Sequence, residues 1–150
     1  MNDAPRDDLQ AEDFRMTAHL LRELQVLRQR GNEDALFAVV RHRSGEVVGL
    51  NELSWSRSQP THVSQGSTGV KPAHRGHRLG QWLKAANIVK LLEVNPGARL
   101  IRTTNAMSNA PMLRINREMG FRPYRTQTVW QGNMPTILTR LGSSDSRAVS

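Results

Sequence analysis

Apolar residues change their spacing several times along the chain, dividing it into helical and extended segments. Leu20, Leu21, Leu24 and Leu27 recur at the intervals of one helix face. Asp7-Asp8-Leu9-Gln10 ahead of them resembles an N-terminal cap and Gly31 a C-terminal one, which predicts one helix or two within residues 9–30. Leu36-Phe37-Ala38-Val39-Val40 is a short apolar run, and Arg43-Ser44-Gly45-Glu46 is a turn returning the chain into Val47–Leu53. Together these predict a hairpin. A loop containing Ser and Pro follows over residues 54–60, and His62 to Val70 is read as another strand, weakened by Gly66 and Gly69.

From Leu79 onward Trp82, Leu83, Ala86 and Val89 mark one face of a helix that ends before Asn95-Pro96-Gly97. Arg99 to Thr103 reads as a strand. A second helix is expected from about Asn109, with Pro111 in its first turn, where a missing N–H costs nothing, and Gly120 at its end. Two last strands are expected near Phe121–Trp130 and Met134–Leu141, followed by a disordered tail over 142–150 that lacks the apolar content to fold. No internal repeat or low-complexity linker divides the chain, so a single domain over residues 1–141 is expected.

Composition removes several classes of function. The 150 residues contain no cysteine, which excludes disulfides, a thiolate zinc site and a cysteine nucleophile, and no metal site is expected. No apolar run approaches a membrane span, and the opening MNDAPRDDLQ is acidic where a signal peptide is basic and then apolar, so the cytoplasm is the default location. Only 5% of residues are aromatic and no nucleic-acid-binding motif is present, which counts against a nucleic-acid partner.

Charge sharpens the picture. Residues 1–70 hold eight Lys and Arg against ten Asp and Glu, whereas residues 71–125 hold eleven against two. The natural partner of that middle segment is an anion. Within it lies His74-Arg75-Gly76-His77-Arg78-Leu79-Gly80, between an expected strand and an expected helix. A strand feeding a glycine-containing loop into a helix start presents backbone N–H groups and the helix dipole to one point, which suits a phosphate. Arg75, Arg78 and Lys71 add charge, and Gly76 and Gly80 allow close backbone approach. An ordinary helix start with exposed arginines has the same composition, and this loop alone does not decide between the two.

Two motifs in order go further. Val70-Lys71-Pro72-Ala73-His74-Arg75-Gly76-His77-Arg78-Leu79-Gly80, then a helix, a strand and Asn109-x-x-Met112-x-x-Ile115-Asn116-x-x-x-Gly120-Phe121, resemble the acyl-CoA half of the GNAT acetyltransferase superfamily. The closer likeness is to actinobacterial members sharing MNDAP, HRGH-x-LG and TxNAxxNxxM stretches, some of which are tandem proteins of two such domains. The resemblance covers roughly residues 1–141. It implies an α/β fold with a central, mixed, splayed sheet flanked by helices, and an acetyl-CoA-dependent N-acetyltransferase acting on a primary amine. A non-catalytic acyl-CoA-binding or partner-binding domain is the alternative. A homodimer or a second GNAT domain is the implied protein partner. The resemblance also implies that the chain lacks the first strand and helix of such a domain, Met1 being an internal methionine or the chain one half of a tandem protein.

Residue roles follow from the same resemblance. Val70 and its neighbours would pair with the pantetheine arm, and Arg75, Gly76, His77, Arg78, Leu79 and Gly80 would hold the pyrophosphate. Asn109 would lie beside the thioester, and Gly120-Phe121 would turn the last helix into the next strand. Lys84 is read either as reaching outward to the nucleotide or as a solvated lysine. Two positions depart from the family pattern: the fourth loop position is Arg78 rather than glycine, and the frequent catalytic tyrosine is Asn116, which has no proton to give as a general acid. Removing the ammonium proton of an acceptor needs a carboxylate or a water chain. Glu52, the acidic residue within the expected central strands, is the candidate base, with His62 and Gln65 on the adjacent strand as candidate acceptor contacts.

Overall fold

A computed structural model describes residues 17–142. Helix α1 (Ala18–Arg30) begins where the Thr17 hydroxyl accepts the Leu20 N–H at 3.2 Å and ends where the Gly31 N–H donates to the Leu27 carbonyl. Arg28 and Arg30 in its last turn complement the helix dipole. The expected cap at Asp7–Gln10 and the tail from residue 143 lie outside the described residues. Strands β1 (Glu33–Arg41) and β2 (Val47–Ser56) form the expected hairpin, turning at Gly45 with a φ of +90°. β2 runs past Leu53 into the segment expected to be loop. Ser54 and Trp55 pair with Ala35 and Asp34, and burial of the Trp55 ring holds the extension in place.

β3 (His62–Val70) pairs antiparallel with β2, and β4 (Leu100–Thr103) pairs parallel with β3, giving a mixed sheet in the order β1-β2-β3-β4. The parallel pairing covers only His62–Gln65 against Leu100–Thr103. From Gly66 onward the β4 side of β3 carries no ladder, so the sheet opens there. On the other side an irregularity between Asn51 and Leu53 shifts the β2–β3 register and leaves Glu52 facing Gly66.

Helix α2 (Leu79–Val94) covers one face of the sheet and α1 lies on the other. Leu53, Trp55, Val63, Leu91 and Ala98 form the core on the α2 side, with Leu36, Ile88 and Ile101 against it. On the α1 side Arg28 stacks 5.4 Å from the Phe37 ring centroid and pairs with Glu52. That side is thinly covered: Phe37 and Val39 stay half exposed, and among the described residues β1 pairs only with β2.

The α2 face differs from the expected one. Leu83 is buried as expected, but its buried companions are Lys84, Asn87 and Leu91, while Trp82 and Val89 face outward. The polar residues win the interior because partners await them there. Asn87 Nδ2 donates to Asn51 Oδ1 at 2.8 Å, and Asn51 Nδ2 donates to Thr68 Oγ1 at 2.8 Å, a chain crossing from α2 through β2 to β3.

Helix α3 (Ala110–Glu118) starts as expected, with Asn109 Oδ1 accepting the Met112 N–H and Pro111 in the first turn, and the chain leaves it through Gly120 at a φ of +85°. The two last strands are not formed. Residues 121–133 have no regular structure, and Met134–Gly142 is a helix, α4. Pro123 interrupts the first segment, while Met134, Ile137, Leu138 and Leu141 follow helical spacing, with Pro135 near the start and Asn133 Oδ1 accepting the Thr136 N–H.

Candidate functional site

The loop between β3 and α2 is built by backbone geometry. The Lys71 N–H donates to the Val48 carbonyl, a short 3-10 turn covers Pro72–His74, and Arg75 Nε donates back to the Val70 carbonyl at 3.0 Å. Gly76 then takes a φ of +81° and Arg78 a φ of +56°, where Arg78 caps α2 without a side-chain hydrogen bond. The left-handed conformation costs a residue with a side chain about 1–2 kcal/mol. Arg78 therefore keeps the backbone that a glycine adopts freely, with a guanidinium added. Beyond it the N–H groups of Leu79, Gly80 and Gln81 precede the first residue the helix ladder can satisfy, Trp82, whose N–H donates to the Arg78 carbonyl at 3.0 Å.

These donors open onto a cleft of about 580 Å³. Thr68, Gly69 and Val70 of the unpaired β3 edge form one wall. The loop from His74 to Gly80, apart from His77, and Gln81 form the head, and Asn109 with Pro111, Met112 and Ile115 of α3 forms the opposite wall. Arg75, Arg78 and Arg114 make the rim basic, against the single carboxylate of Glu118. The cleft thus joins an anion-binding head to a half-paired strand edge and an apolar wall.

Of the residues singled out in the sequence, Val70, Arg75, Gly76, Arg78, Leu79, Gly80 and Asn109 line this cleft. His77 belongs to the same loop but is exposed and outside the lining. Lys71 is tied to Glu46, and its hydrogen bond holds that carboxyl below the usual carboxylate range. His74 packs its ring 5.3 Å from that of His42 at the cleft mouth. Glu52 does not line the cleft. It sits on the α1 side of the sheet, bonded to Arg28, where a Cβ on Gly66 would stand 2.8 Å from its Oε2. His62 is half buried beside Thr61, and Gln65 is buried with an Oε1 that has no partner.

Asn116 is also buried. Its Oδ1 accepts a hydrogen bond from Lys84 Nζ, and its Nδ2 donates to Asn105 Oδ1 at 2.8 Å. Lys84 reaches neither nucleotide nor solvent: it has no exposed surface, and its ammonium stands 4.7 Å from the Phe121 ring centroid. Burial pushes its pKa down to about 8. The sequence did carry a signal for this placement, since Gly80, Lys84, Asn87 and Leu91 follow one helical stripe.

No family model and no curated protein matches the chain. Among solved structures it superposes on a tandem GNAT protein from the clavulanic acid biosynthesis pathway with a TM-score of 0.67 and 34% identity, covering 71% of this chain and 33% of that one. It also superposes on a Trypanosoma brucei acetyltransferase (TM-score 0.54, 21% identity, 78% of this chain and 81% of that one). A third match is the GNAT superfamily phosphinothricin acetyltransferase of Sinorhizobium meliloti in complex with acetyl-CoA (0.56, 18%, 70% and 55%). The fold is that of the GNAT acetyltransferases. The chain spans about a third of the length of the tandem GNAT protein. The opened parallel pair, the glycine loop and the start of α2 shape the cleft here. Among the described residues no helix is long and apolar enough to cross a membrane.

Proposed function

We propose that the chain binds acetyl-CoA in this cleft and transfers the acetyl group to a primary amine. The observation that carries the reading is the junction of two features: a β3 edge left unpaired from Gly66 to Val70, and a loop whose left-handed Gly76 and Arg78 deliver the free N–H groups of α2 to the same space. An extended chain of amides ending in a pyrophosphate fits both at once. The pantetheine arm pairs along Thr68–Val70, the pyrophosphate takes the α2 N–H groups with Arg75 and Arg78, and Asn109 faces the thioester end. Asn109 spends its side-chain oxygen on the Met112 N–H, which leaves its amide N–H groups as donors. The proposed base is Glu52, across the bulge from Gly66, releasing its hold on Arg28 as an amine enters from the α1 side. Asn116 fills the place of a proton donor without a proton to give.

Calorimetric titration with acetyl-CoA, followed by a screen of amines for released thiol, tests the reading. Absence of acetyl-CoA binding would remove it. A second reading, an acyl-CoA-binding domain without catalysis, is favoured by the two candidate catalytic side chains lying off the cleft, Glu52 with Arg28 and Asn116 with Lys84. Tight acetyl-CoA binding without thiol release from any amine would select it. A second copy or a second GNAT domain is the proposed protein partner, to be measured as mass in solution.

A further inference from the structure

Gly80 of α2 and Ile115 of α3 both line the cleft, and they pack closely: a Cβ on Gly80 would lie 3.4 Å from Ile115 Cδ1. One turn further along α2 comes Lys84, and one residue further along α3 comes Asn116, both buried and bonded to each other. The ammonium therefore lies behind the floor of the cleft, where α2 meets α3. Its neighbours are Asn116 from α3 and the Phe121 ring from the segment after it. Among the described residues no carboxylate pairs with it, and no charged group contributes to its titration; burial alone does. Packing would have been served by leucine or methionine, since an unpaired buried ammonium costs free energy. Such a charge raises the potential of a water-poor space beside it far more than a surface lysine does.

We propose that Lys84 is a positioning residue of the acyl-transfer site: held by Asn116 beneath the cleft floor, it stabilises the thiolate that acetyl transfer leaves on coenzyme A. In that step the amine lone pair forms the N–C bond, the C–S bond breaks, and its electron pair departs on sulfur. The surplus ammonium proton goes to the base or to solvent, and Lys84 keeps its own proton throughout. Asn116, fixed by Lys84 on one side and Asn105 on the other, holds the charge in place. The inference rests on the acetyl-CoA reading of the cleft and gives a role to a buried lysine which that reading leaves unused.

The test is the ionisation of the coenzyme A thiol in its complex with the protein, followed by ultraviolet thiolate absorbance against pH. In the wild type the bound thiol is expected to ionise at lower pH than free coenzyme A. Below about pH 8, where Lys84 carries its charge, Lys84→Gln, which keeps a donor for Asn116 but removes the charge, and Lys84→Met should each hold up to about tenfold less thiolate than the wild type at a given pH. Coenzyme A affinity, set by the loop, should stay close to wild type. The same ionisation in wild type and variants overturns the proposal, and so does a wild-type thiol no more acidic than the free one, a measurement that needs no variant. Failure of the wild type to bind coenzyme A is a distinct outcome, which sinks the cofactor reading and this proposal with it.

Discussion

Raising the pH from neutrality should stabilise this protein through one buried side chain. Lys84 titrates near 8 in the folded protein and at its ordinary value of 10.5 when unfolded. Between those values the unfolded chain binds the extra proton, so stability rises with pH across the window, and the penalty is fully present below about 8. The separation of the two values, at about 1.36 kcal/mol per pH unit, sets the full penalty at about 3 kcal/mol, most of which is relieved between pH 7 and pH 10. The comparison needs a reference, and Lys84→Met supplies it. At pH 7 the variant escapes the burial penalty but leaves Asn116 Oδ1 without its donor, a cost of about 1–3 kcal/mol. The two proteins should therefore be close in stability there. At pH 10 the wild type should have gained about 2–3 kcal/mol on the variant relative to pH 7. Urea unfolding at the two pH values measures this directly, and stabilities that move in parallel would refute the buried, desolvated amine.

Gly76→Val should weaken acetyl-CoA binding by about tenfold or more, because a β-branched residue at a φ of +81° forces the loop to rearrange, while Lys90→Ala, which removes only an exposed pair with Glu93, should leave it unchanged; titration calorimetry compares them. Arg78→Gly should be more stable than Arg78→Ala by about 1 kcal/mol in urea unfolding, since alanine keeps the left-handed strain and glycine does not. Once an acceptor is found, Glu52→Gln should lower turnover by about a hundredfold or more with acetyl-CoA affinity nearly unchanged. Asn116→Ala should cost less turnover and more stability, because it strips Lys84 of its acceptor; the opposite ranking would reverse the assignment of Glu52.

The strands up to Val70 were legible because turn residues bracket them: Gly45 needs its positive φ, and Gly31 closes α1. The loop stood out because glycines and arginines gather between a strand and a helix, and its order with the later Asn109 motif, not its composition alone, pointed to a phosphate. Three things escaped. Ser54 and Trp55 read as loop because serine and proline surround them, yet Trp55 has enough apolar surface to draw the strand onward. The buried stripe of α2 was misplaced because Lys84 and Asn87 look like surface residues until partners on β2 and α3 are known, while Trp82 and Val89 look like core. Neither expected last strand forms, since Pro123 interrupts residues 121–130 and Met134, Ile137, Leu138 and Leu141 already carry helical spacing. At the site, the motifs picked out the loop that heads the cleft, but which side of the sheet Glu52 faces depends on register and a bulge, and these are set by pairing across distant segments.

The chain of amides from Asn87 through Asn51 to Thr68 acts as a key for strand alignment. Hydrophobic contacts tolerate sliding, since one aliphatic residue packs nearly as well as its neighbour. A slip of β2 by a single position would turn Asn51 away from both partners and strand three polar side chains between a helix and a sheet. Thr68 is also a wall of the cleft, so the alignment that satisfies the interior is the one that presents the open β3 edge correctly. Replacing Asn51, Asn87 and Thr68 together with aliphatic residues of similar volume should yield a chain that still collapses, yet mixes strand alignments and loses a single, well-formed cleft.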